Sequence, residues 1–428
     1  MPCPFFRPKI AGAMKKQTKA TRRNVSVLAQ LVQWIPQRAI SSLASRQQIK
    51  ARELSYDSQI YELMLGQIAH ALSLNEICDM SEIHRAELHR VRRTTPAKRN
   101  TFSNANRTRD PEVVRKLYWA TREHLEKYAP SFFAPRNRGK LARFRERRIN
   151  AIDSTTLQLS MDSMDWAKHR RRKAAAKLHM RMDTASMLPM FMVVDSASHH
   201  DSTKARLLCE SVSRGDIVVA DRGYNDFSFF AYLREIDAFF VVREKDGLLH
   251  ETVESMACEG DILCDEKIRL TGVRTSRAYP HVLRRVKASV EVDGARRTMV
   301  FLTNNMQWAP LTIAELYRSR WAVELLFKEL KQTLQLRGFY GENRNAVTWQ
   351  IWAALLVHMI LRFVRHLSSW SGSYTRFAAM VKCAIWMKVD LLELFRFYGT
   401  VPPVENKGEN PEAPCLPGFE SFFRHAMG

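Results

Sequence analysis

Residues 317–331 read YRSRWAVELLFKELK and combine good helix formers with neither Gly nor Pro, which predicts a helix. At about 100° per residue, four polar side chains fall within roughly 60° of one another: Tyr317, Arg320, Glu324 and Lys331. The opposite side of the helix is apolar and carries Val323, Leu326, Phe327 and Leu330. The polar stripe is therefore either an ordinary solvated face or the support of a catalytic carboxylate.

Segments typical of strands precede this helix. INAIDSTTLQLS (149–160) alternates apolar and polar residues, and AAKLHMRMDT (175–184) is a second predicted strand. PMFMVVDSAS, DIVVAD and DAFFVVRE are further runs of apolar, often β-branched residues, and a helical pattern at 225–236 separates the last two. This order predicts an α/β fold, with a mixed sheet and helices packed on it.

The remaining segments divide the chain into regions. Residues 25–130 show helical spacing and are predicted to form a helical DNA-binding domain, after a basic tail at 1–24. The catalytic domain is expected at 140–400, with a β-rich insertion at about 245–308. Residues 401–428 are rich in Pro, Gly and Glu and are predicted to be a C-terminal tail.

The charge of the chain points to an anionic partner. Lys and Arg outnumber Asp and Glu by 67 to 44, which gives a formal net charge of +23 and a pI near 10.0. Nucleic acid is the usual partner of such a protein, and an anionic membrane surface is the alternative. The longest apolar run, 351–364, contains His358 and Arg362 and is too short to span a bilayer, so a core helix is predicted there.

Two basic stretches outside the polar stripe are also candidates for DNA contact. Residues 85–109 concentrate Arg beside Ser and Asn, which is typical of a solvated surface or of a small DNA-binding domain. KHRRRKAAAK, residues 168–177, is either an exposed charged turn or a contact to the DNA backbone. Its predicted contact residues are Lys168, Arg170, Arg171 and Arg172.

Aspartates at strand ends are the candidate metal ligands. Asp153 shares a strand face with Leu157 and Leu159 by parity, and Asp221 and Asp195 each end an apolar run. Taken alone, each position is also typical of a turn-forming or helix-capping aspartate. Carboxylates from two strands and a helix can instead hold two Mg²⁺ or Mn²⁺ ions for phosphodiester chemistry.

The spacing of the polar stripe resembles that of a known family. Tyr317, Arg320, Glu324 and Lys331 fit the pattern Y-x2-R-x3-E-x6-K, the signature of bacterial transposases of the insertion sequence four family. AIDSTTLQL (151–159) and VVADRGYND (218–226) are similar to the blocks that carry the first and second catalytic Asp in that family. The resemblance covers most of residues 25–370.

The resemblance implies an RNase H-like core whose catalytic and metal-binding triad is Asp153, Asp221 and Glu324. It also implies that the first and fourth strands are neighbours, which favours Asp221 over Asp195. Tyr317, Arg320 and Lys331 are then expected to bind phosphates of the DNA beside the triad, and Arg222 in the second block is a further expected DNA contact.

These features predict a transposase that binds the terminal inverted repeats of its own element, cleaves the ends and joins them to target DNA. It would use two Mg²⁺ or Mn²⁺ ions per site and act as a homodimer on paired ends of double-stranded DNA, with no membrane. Seven scattered cysteines suit a reducing cytoplasm, and a bacterial, nucleoid-associated location is expected. The alternatives are an inactive DNA-binding relative and an RNase H-fold nuclease that cuts without joining.

Overall fold

The structure, a computed structural model, describes residues 23–45, 54–134, 139–159, 168–170, 173–196, 202–292, 295–336 and 338–399. Residues 1–22 and 401–428, in the predicted tails, lie outside this range. Within it, helices come first along the chain, followed by a mixed sheet with helices on both faces. This is the α/β class that the sequence predicts.

The N-terminal region is helical, as its spacing predicts. Its helices are α1 (Val27–Val32), α2 (Gln37–Ser45), α3 (Tyr56–Ala69), α4 (Leu74–Ile83), α5 (Arg85–Arg90), α6 (Arg99–Thr108), α7 (Glu112–Tyr128) and α8 (Pro130–Phe133). Serine hydroxyls cap the starts of three of them, at Ser26, Ser55 and Ser73. Their buried apolar side chains belong to the same hydrophobic cluster as Ile149, Met180 and Leu355, so this region packs directly on later parts of the chain.

Two arginines of the basic stretch 85–109 hold the N-terminal helices together. Arg109 is 7% exposed, donates to Gln59 Oε1 at 2.7 Å and lies over the ring of Tyr56. Arg92 donates to the carbonyl oxygen of Ile35 at 2.7 Å and to the hydroxyl of Tyr61 at 3.0 Å. Any DNA contact from this stretch therefore falls to its exposed members, which include Arg93, Lys98, Arg99 and Arg107.

One mixed sheet contains the ten strands of the described chain. They are β1 (Ile149–Leu159), β2 (Lys168–Arg170), β3 (Lys173–Asp183), β4 (Leu188–Ser196), β5 (Ile217–Ala220), β6 (Phe239–Arg243), β7 (His250–Ser255), β8 (Ile262–Leu270), β9 (Leu283–Val292) and β10 (Ala295–Thr303). Their order is β2-β3-β1-β5-β6-β10-β9-β8-β7, and β4 pairs with β3. The central pairs β1–β5 and β5–β6 are parallel, and β1 pairs antiparallel with β3.

The predicted β-rich insertion is present as β7 to β10. Strand β10 pairs with β6, so the insertion extends the central sheet. A short helix, α11 (Val273–Ala278), lies between β8 and β9. These two strands are antiparallel, so the chain reverses direction between them.

Helices cover both faces of the sheet. Helices α9 (Ser202–Leu208), α10 (Phe227–Glu235) and α11 lie on one face, over Ile152, Val218 and Phe240. The other face is covered by α12 (Pro310–Ser319), α13 (Trp321–Lys328), α14 (Arg344–Ser368) and the N-terminal helices, together with α15 (Tyr374–Ala384) and α16 (Leu391–Gly399). The odd-numbered residues of β1 point to this second face, since Ile149, Ala151 and Leu157 belong to its cluster.

Helix α14 is the predicted core helix. Of the helices that the structure describes, it alone has the length and hydropathy to cross a membrane, and 89% of its most apolar window is buried within the protein. Residues 351–364 lie inside it and are almost entirely buried. The burial confirms the prediction of a core helix.

The stretch 317–331 is helical but is less regular than predicted. Helix α12 ends at Ser319, α13 spans Trp321–Lys328, and a π-helical turn follows at Glu329–Thr333. Its apolar side faces the core as expected, because Val323, Leu326, Phe327 and Leu330 are buried. Lys331 lies in the π turn, so its direction does not follow from the regular helical spacing of the other three polar residues.

Candidate active site

The two sequence-predicted aspartates meet at the centre of the sheet. Ile152 on β1 pairs with Ala220 on β5, so the next residues, Asp153 and Asp221, lie beside each other. β5 is buried along its whole length, and Asp221 follows its last residue and begins a 3₁₀ turn at Arg222–Tyr224. Side chains alternate between the two faces along a strand, so both aspartates point toward the face that α12 and α13 cover.

Helices α12 and α13 bring the polar stripe onto these aspartates. The hydroxyl of Tyr317 donates to Asp221 Oδ1 at 3.1 Å. Arg320 donates from Nη1 to Asp153 Oδ2 at 2.7 Å and from Nη2 to Glu324 Oε1 at 2.6 Å. Arg320 therefore bridges the carboxylates of Asp153 and Glu324, and Tyr317 bonds to the third.

Arg320 and Tyr317 are buried, which strengthens the electrostatic interactions within this cluster. Arg320 is 6% exposed and Tyr317 is 5% exposed, whereas the side chain of Glu324 is 55% exposed. Burial raises the pKa of Asp153 to about 6, although Arg320 and the backbone N–H of Ser154 act in the opposite direction. Burial also raises the pKa of Tyr317 to about 12, so its hydroxyl stays protonated and donates its hydrogen bond at neutral pH.

Lys331 reaches β1 on the same face, further along the strand. Its Nζ donates to Thr155 Oγ1 at 2.6 Å and to the carbonyl oxygen of Thr156 at 3.0 Å. Thr155 lies two residues after Asp153 and therefore shares its strand face. The π turn thus directs Lys331 toward the candidate site from a position beyond the end of α13.

A buried ionic network anchors the π turn to α14. Glu329 accepts from His358 Nε2 at 2.9 Å and from Arg362 Nη2 at 2.5 Å. The ring of Tyr374 contacts both partners: it is tilted by 53° to the ring of His358, and Arg362 lies 4.9 Å from its centroid. Burial by itself raises the pKa of Glu329, but the hydrogen bonds and charges of His358 and Arg362 outweigh it and hold this pKa below its usual value. The network fixes the backbone that carries Lys331.

We expect Glu329→Gln to lower the free energy of unfolding by about 3–5 kcal/mol at pH 7, because it leaves Arg362 buried without its counter-charge. The cost is expected to shrink toward pH 4. Glu329 has a lowered pKa, so its stabilisation is complete above about 4.5, its ordinary value, and is lost as the pH falls through its folded pKa. Burial also lowers the pKa of His358, so its neutral form stabilises above about 6.5 and this contribution fades on acidification. Urea unfolding across this pH range measures both effects.

The matched control is Glu82→Gln, which breaks an exposed ion pair with Arg85. Both members of that pair face water, so no measurable change in the free energy of unfolding is expected at either end of the pH range. An equal cost for Glu329→Gln at pH 7 and pH 4 would contradict an ionised Glu329. The network would then be held by packing alone.

Among the other candidate residues of the sequence analysis, the structure describes the side chains of Arg222 and Asp195. Arg222 follows Asp221 directly, is exposed, and lies 3.9 Å from Asp246. Lys168 and Arg170 belong to β2, and their side chains, like Arg171 and Arg172, lie outside the described part of the structure. Asp195 on β4 pairs with Lys204 at 2.7 Å and is separated from β1 by β3. Asp195 is thus remote from the other two aspartates in the sheet.

The donor chemistry of the centre fits hard divalent cations. Three carboxylates supply the oxygen ligands that Mg²⁺ and Mn²⁺ prefer. In this conformation no group of three His, Cys, Asp or Glu side chains in the described residues is arranged to hold a metal ion. The guanidinium of Arg320 already contributes a positive charge between Asp153 and Glu324. Metal ions bound at the three carboxylates would therefore compete with Arg320 for the negative charge of Asp153 and Glu324.

The mixed sheet with helices on both faces is an RNase H-like core, and its adjacent aspartates and the glutamate on a covering helix fit the DDE type. Residues 144–360 match the family model described as "Transposase DDE domain". The chain belongs to this family of DDE transposases and is of the insertion sequence four type. Members of the family generally use divalent metal ions and act on DNA.

Known proteins with similar sequences are transposases. A protein of Sinorhizobium fredii named as transposase y4zB is 30% identical over 280 residues, which cover 64% of this chain and 75% of that protein. A Synechocystis protein named as a transposase for insertion sequence element IS4SA is 23% identical over 266 residues, or 62% and 71% of the two chains. The piggyBac transposase, solved by cryo-electron microscopy in a synaptic complex with hairpin DNA, superposes with a TM-score of 0.40 at 11% identity, covering 96% and 86% of the two chains.

The sequence-based prediction overlooked the network that supports the site. Glu329 occurs in the quoted stretch, but its two partners lie about 30 residues further on, in α14. A signal was present, because His358 and Arg362 are four residues apart in an otherwise apolar run and therefore share one helix face. Such a pair in a core helix needs a buried acidic partner.

Proposed function

We propose that this transposase binds the terminal inverted repeats of its own element, cleaves the DNA ends and joins them to target DNA. Asp153, Asp221 and Glu324 are the proposed catalytic metal ligands. The observation that supports this best is their convergence from β1, β5 and α13 onto Tyr317 and Arg320. When bound at these carboxylates, two Mg²⁺ or Mn²⁺ ions would activate the attacking oxygen and stabilise the leaving oxygen.

The side chains around the carboxylates are suited to holding the DNA. Arg320 carries a positive charge at Asp153, Lys331 carries another at Thr155 two residues along β1, and Tyr317 offers a hydroxyl donor. Guanidinium and ammonium groups bind phosphate oxygens strongly, so these three residues would orient the scissile phosphate. Arg222 and the 168–172 segment are proposed to contact the backbone further away. The surplus of positive charge in the chain offsets the repulsion between the acidic centre and DNA.

The proposal includes an assembly and a location. Two copies are proposed to act together as a homodimer, each on one of two paired ends, in the bacterial cytoplasm at the nucleoid. Size-exclusion chromatography with light scattering, with and without terminal-repeat DNA, tests the assembly. A 1:1 protein–DNA complex at all concentrations would contradict it.

A strand-transfer assay tests the reaction itself. Purified protein is incubated with Mg²⁺, a labelled duplex that carries the terminal repeat and its flank, and a supercoiled plasmid as target. Cleavage at the repeat boundary together with labelled DNA joined to the plasmid is the expected result. Cleavage without joined product would instead indicate a nuclease of the same fold, and binding without cleavage an inactive relative.

A further inference from the structure

A basic groove lies beside the candidate active site, and we call it the Arg318 groove. It has a volume of about 830 Å³ and lies between the junction of α12 and α13, the end of α14 and the turn between β3 and β4. Four basic side chains line it: Arg318, Arg362, Arg365 and His366. Within the described residues, no acidic side chain lines it.

Two of these basic groups are available for a ligand. Arg362 already forms an ion pair with Glu329, which does not line the groove. Arg318 is exposed, and no described residue forms an ion pair with it. Arg365 donates to the carbonyl oxygen of Gly372, and burial together with the nearby charge of Arg362 lowers its pKa. A ligand that carries negative charge would relieve this uncompensated positive charge.

The groove lies in line with the carboxylates along β1. Asn150 at the start of β1 pairs with Asp183, so the β3–β4 turn that lines the groove is at this end of the strand. Lys331 contacts Thr155 and Thr156 in the other direction. Asp153 therefore lies between Lys331 and the groove. Three residues of strand span about 10 Å, the axial length of about three nucleotides.

We propose that the Arg318 groove binds the phosphodiester backbone of the DNA whose scissile phosphate lies at the carboxylates, about three nucleotides away. The inference rests on the proposed function and adds a second backbone contact to it. Arg318 precedes Arg320 by two residues, so one helical junction would hold both the scissile phosphate and the neighbouring backbone. Hydroxyls of Thr184 and Ser369 also line the groove and suit phosphate oxygens.

The test compares Arg318→Ala, Arg318→Glu and Arg318→Lys in the full chain. Binding to a fluorescent random-sequence duplex is followed by anisotropy at several salt concentrations. We expect several-fold weaker binding for Arg318→Ala, still weaker binding for Arg318→Glu, and near wild-type binding for Arg318→Lys. The slope of log K against log salt should fall by about 1 in Arg318→Ala, because one phosphate contact is lost. Circular dichroism checks that each variant is folded.

The matched control is Arg269→Ala. Arg269 is 55% exposed on β8, remote from β1 in the sheet order, and pairs with Glu251. Its removal should leave both affinity and salt slope unchanged. Wild-type affinity and slope in Arg318→Ala and Arg318→Glu would overturn the inference, even if the wild-type protein cuts terminal-repeat DNA normally. Dependence on Arg318 in a protein that never cuts such DNA would support the groove and refute the proposed reaction.

Two duplexes identify which DNA occupies the groove. One ends at the cleavage position of the terminal repeat, and the other continues into flanking DNA. If Arg318→Ala weakens binding of the longer duplex alone, the groove holds DNA outside the element. If it weakens both equally, the groove holds the element end. Both results support a backbone contact, whereas equal wild-type binding of both duplexes by Arg318→Ala contradicts it.

Discussion

Replacing Asp153 by Asn is expected to lower Mg²⁺-dependent cleavage of terminal-repeat DNA by at least about a thousandfold, with DNA binding largely retained. The amide keeps the shape of the side chain but removes the negative charge that a metal ion needs. Bound metal ions stabilise the transition state by several kcal/mol, and each 1.4 kcal/mol corresponds to a factor of ten in rate. Asp221→Ala and Glu324→Ala are expected to have effects of the same size. Single-turnover cleavage and a gel-shift assay measure the two quantities separately.

Asp195→Asn is the matched control for Asp153→Asn. Asp195 also ends an apolar strand run, but it lies on β4 and pairs with Lys204. Its substitution should leave the cleavage rate within about threefold of wild type, a difference of less than one kcal/mol. Normal cleavage by Asp153→Asn, or loss of cleavage in Asp195→Asn alone, would refute the assigned triad.

The second large effect is expected for Arg320→Met in the absence of divalent metal. The substitution keeps the length of the side-chain stem but removes the cation that bridges Asp153 and Glu324. The free energy of unfolding should fall by about 3 kcal/mol, the low end for breaking a buried pair, because Glu324 is 55% exposed. Millimolar Mg²⁺ should restore much of this loss, since a metal ion bound to the native carboxylates replaces the missing charge. Urea unfolding in EDTA and in Mg²⁺ measures the difference.

Arg320→Lys provides the comparison for this prediction. Lysine keeps the positive charge but lacks the planar guanidinium that pairs with two carboxylates at once. Compared with Arg320→Met, we expect a smaller loss in the free energy of unfolding and a smaller restoration by Mg²⁺. An identical loss for Arg320→Met in EDTA and in Mg²⁺ would show that packing of the side chain, rather than its charge, stabilises the site. That result would also remove the reason to expect competition between Arg320 and metal.

Strand patterns in the sequence predict the strands before the two aspartates but not the pairing of those strands. The alternation in 149–160 and the apolar run 217–220 predict both strands and place Asp153 on the face of Leu157. The pattern does not specify that β1 pairs with β5, because the register of these two strands depends on contacts between residues about 70 positions apart. The expected pairing came from the family resemblance, and the structure confirms it.

After Glu324, the structure departs from the regular helix that the sequence predicts. Regular helical spacing places Lys331 in line with Glu324, yet the chain forms a π turn at Glu329–Thr333. The buried partners of Glu329, His358 and Arg362, come from another helix. Local propensity carries no information about such a partner, so the turn could not be predicted from the stretch itself.

By itself, the sequence predicted the class of fold and the polar residues spaced around Glu324, because these follow from periodicity and from a four-residue signature, whereas the preference for Asp221 over Asp195 came from the family resemblance. The tertiary structure decided which charges meet. It directed Arg320 between Asp153 and Glu324 and brought Arg318 and Arg365 to one groove. The physical reason is that electrostatic interactions depend on distance and burial in space, and both are set by packing between segments far apart in the chain.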